Sequence, residues 1–309
     1  MPFEEHAQNG VRRRAVPDTL GGARRTLCAF EVFEAPANSI LSSVTGYIAQ
    51  AGFTHSLTPA RNCTFACSYC YVPTMRIYGG LKPGDWQHWG QYTTFKSNAA
   101  ELLGKQLRSE QRIYCSPLVD PYQPAEEDQR LMPRVLDAVI RNPPRVFSIQ
   151  TRGPLILRDL DLLLALARRT TLRVSFSVTT NRESVRKLYE PHCAPIEQRL
   201  ATIRHLREAG ICTFATIAPM LPCDPEELAA LVLEASNQNI ISDALHVRAV
   251  KPRGATTREA ALRISERHEF SAWLDPDFQR EVAERIRTVV TKAGRRFATG
   301  PEAFRWLAQ

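Results

Sequence analysis

Apolar residues fall into two alternating rhythms along this chain. Short runs rich in β-branched and aromatic residues occur at Thr54–Thr58, Arg112–Ser116, Val146–Thr151, Leu172–Thr179, Cys212–Ala218 and Leu245–Val250. Runs of this length and composition predict strands. The segments between them carry apolar residues three and four apart and predict helices over Gln91–Arg108, Asp128–Ile140, Arg158–Arg169, Ile196–Ala209 and Asp224–Ala235. Leu131, Val135, Leu136 and Val139 make one such stripe. The ends are marked as well. Asp224-Pro225-Glu226-Glu227 supplies a cap, a proline at the first helical position and an acidic first turn. Arg158–Arg169 starts acidic and ends in two arginines, and Gly210 follows Ile196–Ala209 where a left-handed terminating residue belongs.

Six strands alternating with helices read as a parallel βα array. Right-handed crossovers place the helices outside the curled sheet. Six units fall short of a full eight-stranded barrel, so the expected fold is α/β, a partial (β/α)6 barrel, with a doubly wound sheet as the alternative. Residues 1–50 read as a lead segment, polar and partly flexible at its start, and 51–252 as the barrel. Residues 253–309 read as a helical extension, with the helix Phe278–Lys292 behind the cap region Asp275-Pro276-Asp277.

Composition narrows the class without naming a function. The 309 residues are 44% hydrophobic and 23% charged, in the range of a globular protein with a substantial core. No apolar run is long enough to span a membrane. The first residues show no signal-peptide core, so a cytoplasmic chain with mostly reduced cysteines is expected. The net charge of +8 makes nucleic acid a candidate partner. The positive residues are scattered, however, and solvated faces account for them as well.

The chemistry concentrates at Cys63, Cys67 and Cys70, spaced C-x3-C-x2-C directly after the first predicted strand. That position is the catalytic end of a βα barrel. Electron-transfer clusters take four cysteines, whereas three on one short loop leave one iron of a cubane free to bind a ligand. Zinc is the competing occupant, with His55 as a fourth ligand, but no second C-x2-C pair follows. Cys28, Cys193, Cys212 and Cys223 show no ligand spacing, and the histidines are isolated. Trp86, Trp89 and Tyr92, after Tyr78-Gly79-Gly80, form an aromatic stretch suited to core packing or base stacking.

The cysteine run with Tyr69 before its third cysteine resembles the radical SAM superfamily. Val119-Asp120-Pro121-Tyr122-Gln123-Pro124-Ala125-Glu126, Gln150-Thr151-Arg152, Phe176-Ser177-Val178 and Ala218-Pro219-Met220-Leu221-Pro222 are similar to segments of its spore photoproduct lyase-like branch. So are Glu190-Pro191 and Arg199-Leu200. Asn62 departs from the glycine that relatives often carry before the first cysteine. The resemblance implies a radical SAM enzyme. Its 4Fe-4S cluster would be held by Cys63, Cys67 and Cys70, and S-adenosylmethionine would be cleaved reductively to a 5′-deoxyadenosyl radical. That radical would take hydrogen from a substrate, with a nucleic acid base as one candidate. A flavodoxin, ferredoxin or reductase would supply the electron. Tyr69, Asp120, Arg152 and Ser177 would contact the cofactor, and Cys115 and Tyr122 would act on the substrate radical. Each has a plainer role open to it: packing for Tyr69, a strand-end position for Arg152 and Ser177, a turn for Asp120, a buried thiol for Cys115. The alternative for the whole chain is a non-catalytic iron–sulfur or zinc protein that binds nucleic acid.

Overall fold

Most of the β-branched runs form strands in the computed structural model, which describes residues 12–14, 30–75 and 88–309. The strands are β1 (Arg12–Arg14), β2 (Glu31–Ala35), β3 (Leu41–Ser43), β4 (His55–Leu57), β5 (Ala60–Arg61), β6 (Tyr92–Lys96), β7 (Arg112–Cys115), β8 (Val146–Thr151), β9 (Thr171–Ser177), β10 (Thr213–Ile217), β11 (Ile240–Ser242) and β12 (Phe297–Thr299). The helices are α1 (Gly46–Gln50), α2 (Ala99–Gln106), α3 (Glu126–Gln129), α4 (Leu131–Arg141), α5 (Leu160–Ala167), α6 (Glu183–Tyr189), α7 (Ile196–Glu208), α8 (Pro225–Ala235), α9 (Glu259–Arg267), α10 (Pro276–Lys292) and α11 (Gly300–Phe304).

The main sheet runs β12-β11-β10-β9-β8-β7-β4-β3. All its pairings are parallel except β3 with β4, and its edges β3 and β12 do not pair with each other. This is the partial barrel the strand–helix alternation predicts. The sheet extends past its six central strands on both sides: β3 comes from the lead segment and β12 from the C-terminal extension. A second sheet, β1-β2-β6-β5, lies beside the first. It holds β5 antiparallel to β6, immediately before Asn62 and Cys63.

Where the caps were legible, the helices follow them. Asp224 accepts from the Glu227 amide at the start of α8, and Asp275 accepts from Asp277 and Phe278 at the start of α10. Gly210 has a positive φ of 86° just past α7. Leu131, Val135, Leu136 and Val139 of α4 are all buried, each contributing about 1.5–3 kcal/mol relative to exposure.

Two predicted elements are corrected. Gln91–Arg108 is not one helix; it divides into β6 and α2. Tyr92-Thr93-Thr94-Phe95 is a β-branched and aromatic run that pairs with β2 and β5, and Asn98 then ties its side chain to Ala37 before the helix begins. Leu245–Val250 is not a strand. The sixth strand of the array is Ile240–Ser242, and Leu245 is held by the Gln279 side chain in a turn region. Leu245 and Val247 are buried by packing, not by pairing. Tyr78-Gly79-Gly80 and Trp86 lie outside the described residues, as does most of the polar N-terminal start. Trp89 is buried in the core.

Candidate active site

The cysteine loop starts from a residue that must turn the chain sharply. Asn62 has a φ of 63°, in the left-handed region that asparagine tolerates better than most residues. It therefore supplies a left-handed turn that glycine also favours, and its side chain adds bonds. Its Oδ1 accepts from the amides of Cys63 (2.7 Å) and Gly90 (2.8 Å), and its Nδ2 donates to the His88 carbonyl. Ala66 is also left-handed, at 52°. Gly90 packs so closely on it that a Cβ there would lie 2.2 Å from the Ala66 Cβ. Gln123 accepts from the amide and hydroxyl of Thr64 and donates to Thr93 Oγ1 (3.3 Å). Ser68 donates its amide to the Tyr189 carbonyl (2.9 Å), which ties the loop to the end of α6.

Behind the loop lies a buried charge network. Glu190 is fully buried and accepts from Arg152 Nη1 at 2.5 Å and Arg199 Nη2 at 2.5 Å. Tyr69 donates its hydroxyl to the same carboxylate, and Arg152 donates to the Tyr69 oxygen and lies over its ring. Burial pushes the Glu190 carboxyl up, but Arg199 and Arg152 overcome it and hold it at about 2. Burial pushes Cys63 well up and Cys70 to about 12. Cys67 goes the other way because the Cys193 thiol, 3.9 Å away, donates to it and Arg152 is near. Iron binding replaces the protons on such thiols.

A cavity of about 1150 Å³ opens at the strand ends. Of the residues named from sequence, Cys63, Cys67, Cys70, Tyr69, Asp120, Arg152 and Ser177 line it. Ser177 accepts from Gln150 Nε2 (2.8 Å), and Gln150 in turn accepts from Tyr114 (2.8 Å). That chain of bonds fixes the orientation of the serine across three strands. Asp120 is half-buried and already accepts from Thr151, the Arg152 amide and the Tyr122 amide. Burial raises its carboxyl, partly offset by Thr151 and Arg152. It makes a local turn through the Tyr122 amide, as a turn-forming aspartate does, and holds the Arg152 backbone from a neighbouring segment.

Cys115 and Tyr122 are not brought to the cavity. Both are buried, and neither lines it. Strand β7 ends at Cys115. Tyr114, Ser116 and Pro117 face the cavity instead. Gln123 braces the cysteine loop, and Glu126 caps the start of α4 through Leu131 and Met132 while pairing with Arg158. Sequence reasoning passed over Tyr71, which lines the cavity and donates to the Pro117 carbonyl. Its place directly after Cys70 was the available signal. It also passed over Tyr47, whose hydroxyl donates to Asp243 (3.0 Å), with His246 on the other side of that carboxylate. The Tyr47–Asp243 contact spans 196 residues and leaves no local trace.

The donor set fits an iron–sulfur cluster. Three thiols from one loop face one cavity, and Cys193 lies behind Cys67, away from that cavity. Zinc is less well served. Cys67, Cys193 and Glu190 do converge, and 3.9 Å between sulfurs is close to the roughly 3.8 Å expected of two tetrahedral zinc thiolates. Both Glu190 oxygens are committed to Arg152, Arg199 and Tyr69, however, which leaves two thiols where a structural zinc needs four ligands. No helix among the described residues is long and apolar enough to cross a membrane.

Known proteins resemble this chain in sequence or in structure. The uncharacterized protein Rv2578c of Mycobacterium tuberculosis (strain ATCC 25618 / H37Rv) is 25% identical over 94% of this chain and 89% of its own length. The uncharacterized protein MJ0683 of Methanocaldococcus jannaschii is 29% identical over 52% of this chain and 58% of its own. Spore photoproduct lyase complexed with dinucleoside spore photoproduct superimposes with a TM-score of 0.58 at 14% identity, covering 87% of this chain and 81% of that one. A doubly substituted mutant of that lyase with bound AdoMet and dinucleoside spore photoproduct gives 0.57 at 15%, covering 87% and 80%. At such identities these two structures speak for the fold. The family model described as Radical SAM superfamily matches residues 57–234, more than half of the chain. With its three cysteines on one cavity wall at the mouth of an open barrel, the chain belongs to the Radical SAM superfamily, enzymes that work with a 4Fe-4S cluster and S-adenosylmethionine.

Proposed function

We propose that Cys63, Cys67 and Cys70 hold the cluster and that Arg152 and Ser177 bind the methionine part of S-adenosylmethionine, leaving the rest of the cavity for a substrate that loses a hydrogen atom. The observation that carries this reading is the gathering of all five side chains on one cavity. When bound, the cluster would supply the one electron that reductive cleavage of the sulfonium needs. The protein's part is orientation and exclusion of side reactions. Arg152 offers a planar donor fork suited to a carboxylate, and Glu190 and Tyr69 hold it from behind. Ser177, held by Gln150, presents a fixed hydroxyl oxygen. An electron donor of the flavodoxin, ferredoxin or reductase type completes the reaction.

The substrate class we favour is a nucleic acid carrying a modified base. Arg61 and Lys96 sit side by side on the cavity wall without a carboxylate partner among the described residues. Burial and the neighbouring Arg61 bring the Lys96 ammonium down to about 8. A phosphate there would relieve that repulsion. The lyases that share the fold act as comparison cases for a base substrate.

Anaerobic turnover tests both levels. Reconstituted protein given S-adenosylmethionine and dithionite is expected to release 5′-deoxyadenosine. Oligonucleotides bearing the right lesion or modification should accelerate that release. Four irons bound without any nucleoside release would reject the catalytic assignment. Release that no oligonucleotide accelerates, but a small-molecule extract does, would reject the substrate class alone.

A further inference from the structure

Cys193 has no part in the scheme above, yet its thiol lies against that of a cysteine in the loop. Its Sγ lies 3.9 Å from Cys67 Sγ. Both thiols are buried, at 4% and 7% exposure. The two loops that carry them are joined independently of the thiols. Ser68 donates its amide to the Tyr189 carbonyl (2.9 Å), and Cys193 donates its amide to the Glu190 carbonyl (3.0 Å). Arg186 then clamps the far loop, donating to the carbonyls of Glu190 and Cys193. The sulfurs must close from 3.9 Å to about 2.05 Å for a bond, and the backbone bonds that join the two loops do not involve the thiols.

The two thiols differ in access. Cys67 lines the cavity, whereas Cys193 sits behind it and does not. A small oxidant entering the cavity therefore meets Cys67 first, with Cys193 ready behind it. A thiolate bound to iron is not free for this reaction, so the chemistry belongs to the chain before loading or after cluster loss.

We infer that Cys67 and Cys193 close a reversible disulfide on exposure to a peroxide oxidant when the cysteine loop carries no iron, so that cluster loading depends on the thiol redox state. The inference rests on the reading of Cys67 as a cluster ligand. With hydrogen peroxide as oxidant, the Cys67 sulfur attacks one peroxide oxygen and the O–O bond breaks. One water leaves, and Cys67 becomes a sulfenic acid. The Cys193 sulfur then attacks the Cys67 sulfur, the S–O bond breaks, and the departing hydroxide takes the Cys193 proton as a second water. The two sulfurs together lose two electrons and the peroxide gains them. A dithiol reductant returns both electrons and restores the two thiols. The disulfide protects a ligand cysteine from irreversible over-oxidation and blocks loading until reducing conditions return.

The test uses the full chain, stripped of iron by a chelator under anaerobic reducing conditions. It is then given one equivalent of hydrogen peroxide, alkylated and digested. Mass spectrometry is expected to find a peptide joining Cys67 to Cys193. Iron uptake should fall by roughly tenfold or more and return after dithiothreitol. Chain that carries its cluster should yield no such peptide under the same short exposure. In Cys193→Ser and Cys193→Ala, iron uptake before oxidation should match the parent, and dimedone should trap Cys67 as the sulfenic acid. Full alkylation of Cys193 after peroxide, or a linkage among Cys63, Cys67 and Cys70 instead, would overturn the inference. These readouts do not depend on S-adenosylmethionine cleavage. A linked peptide from a chain that never releases 5′-deoxyadenosine would leave the switch standing and remove the catalytic reading.

Discussion

Glu190 stands between Arg152 and Arg199, 2.5 Å from a guanidinium nitrogen of each, with no exposure to solvent. A single carboxylate thus joins the cofactor side of the site to α7, which carries Arg199. Removing one member of such a buried group strands the others. Glu190→Gln is expected to destabilise the iron-free chain by about 3 kcal/mol, measured by urea unfolding near neutral pH. The pH dependence has a definite sign. The folded carboxyl sits at about 2, below its reference of 4.5. The stabilisation is therefore whole above the unfolded value and is lost as pH falls from there toward the folded one. The gap between parent and Glu190→Gln should narrow by about 2 kcal/mol between neutral pH and about pH 3. A gap that stayed constant would mean that the carboxylate charge is not what stabilises.

Iron content separates ligands from bystanders. Alanine at Cys63, Cys67 or Cys70 is expected to reduce bound iron and sulfide to near background, because each thiol faces the shared cavity. Alanine at Cys212 or Cys223 should leave both unchanged. Cys223 is buried without lining the cavity, and burial raises its thiol to about 12. That is the signature of an inert structural cysteine. Iron and acid-labile sulfide assays on anaerobically reconstituted variants decide the matter.

The cysteine spacing and the strand–helix alternation were legible because they are local. Five of the six predicted strands overlap observed ones, and the caps at Asp224 and Asp275 act as the residue types require. What escaped was short or distant. Ile240–Ser242 is too brief to show a period, and the buried Leu245 and Val247 imitated a strand nearby. Tyr92–Lys96 lies against a helix start and borrowed its pattern. The approach of Cys193 to Cys67 and of Tyr47 to Asp243 spans 126 and 196 residues. No single-chain pattern encodes such contacts. Cys115 is a buried thiol at the end of β7, the plainer of the two roles its sequence left open.

Two glycines give opposite expectations for the same substitution. Gly90 has a φ of 91°, and its Cβ would collide with Ala66 inside the cysteine loop. Gly90→Ala is expected to cost about 1–3 kcal/mol and to weaken iron retention, since the loop must shift to relieve the clash. Gly104 sits in α2 with open space around the added carbon. Gly104→Ala should stabilise by about 1 kcal/mol, the helix propensity difference, and leave iron loading alone. Thermal unfolding and iron content of the two variants check both directions.

Arg152 and Ser177 are separable from the cluster by kinetics. If Arg152 receives the carboxylate of S-adenosylmethionine, Arg152→Lys keeps the charge but loses the fork and its pairing with Tyr69 and Glu190. Loss of a charge-assisted hydrogen bond of about 1.5–3 kcal/mol predicts a rise of roughly tenfold to a hundredfold in KM for S-adenosylmethionine. Ser177→Ala removes a neutral bond of about 1 kcal/mol and should raise KM roughly fivefold. Gln150→Ala should reproduce part of that rise, because Gln150 orients the serine. Iron content should match the parent in all three, since none of these side chains belongs to the cysteine loop. A variant that lost iron along with affinity would show that Arg152 acts on the cluster through Cys67, whose thiol it stabilises, and not on the methionine carboxylate.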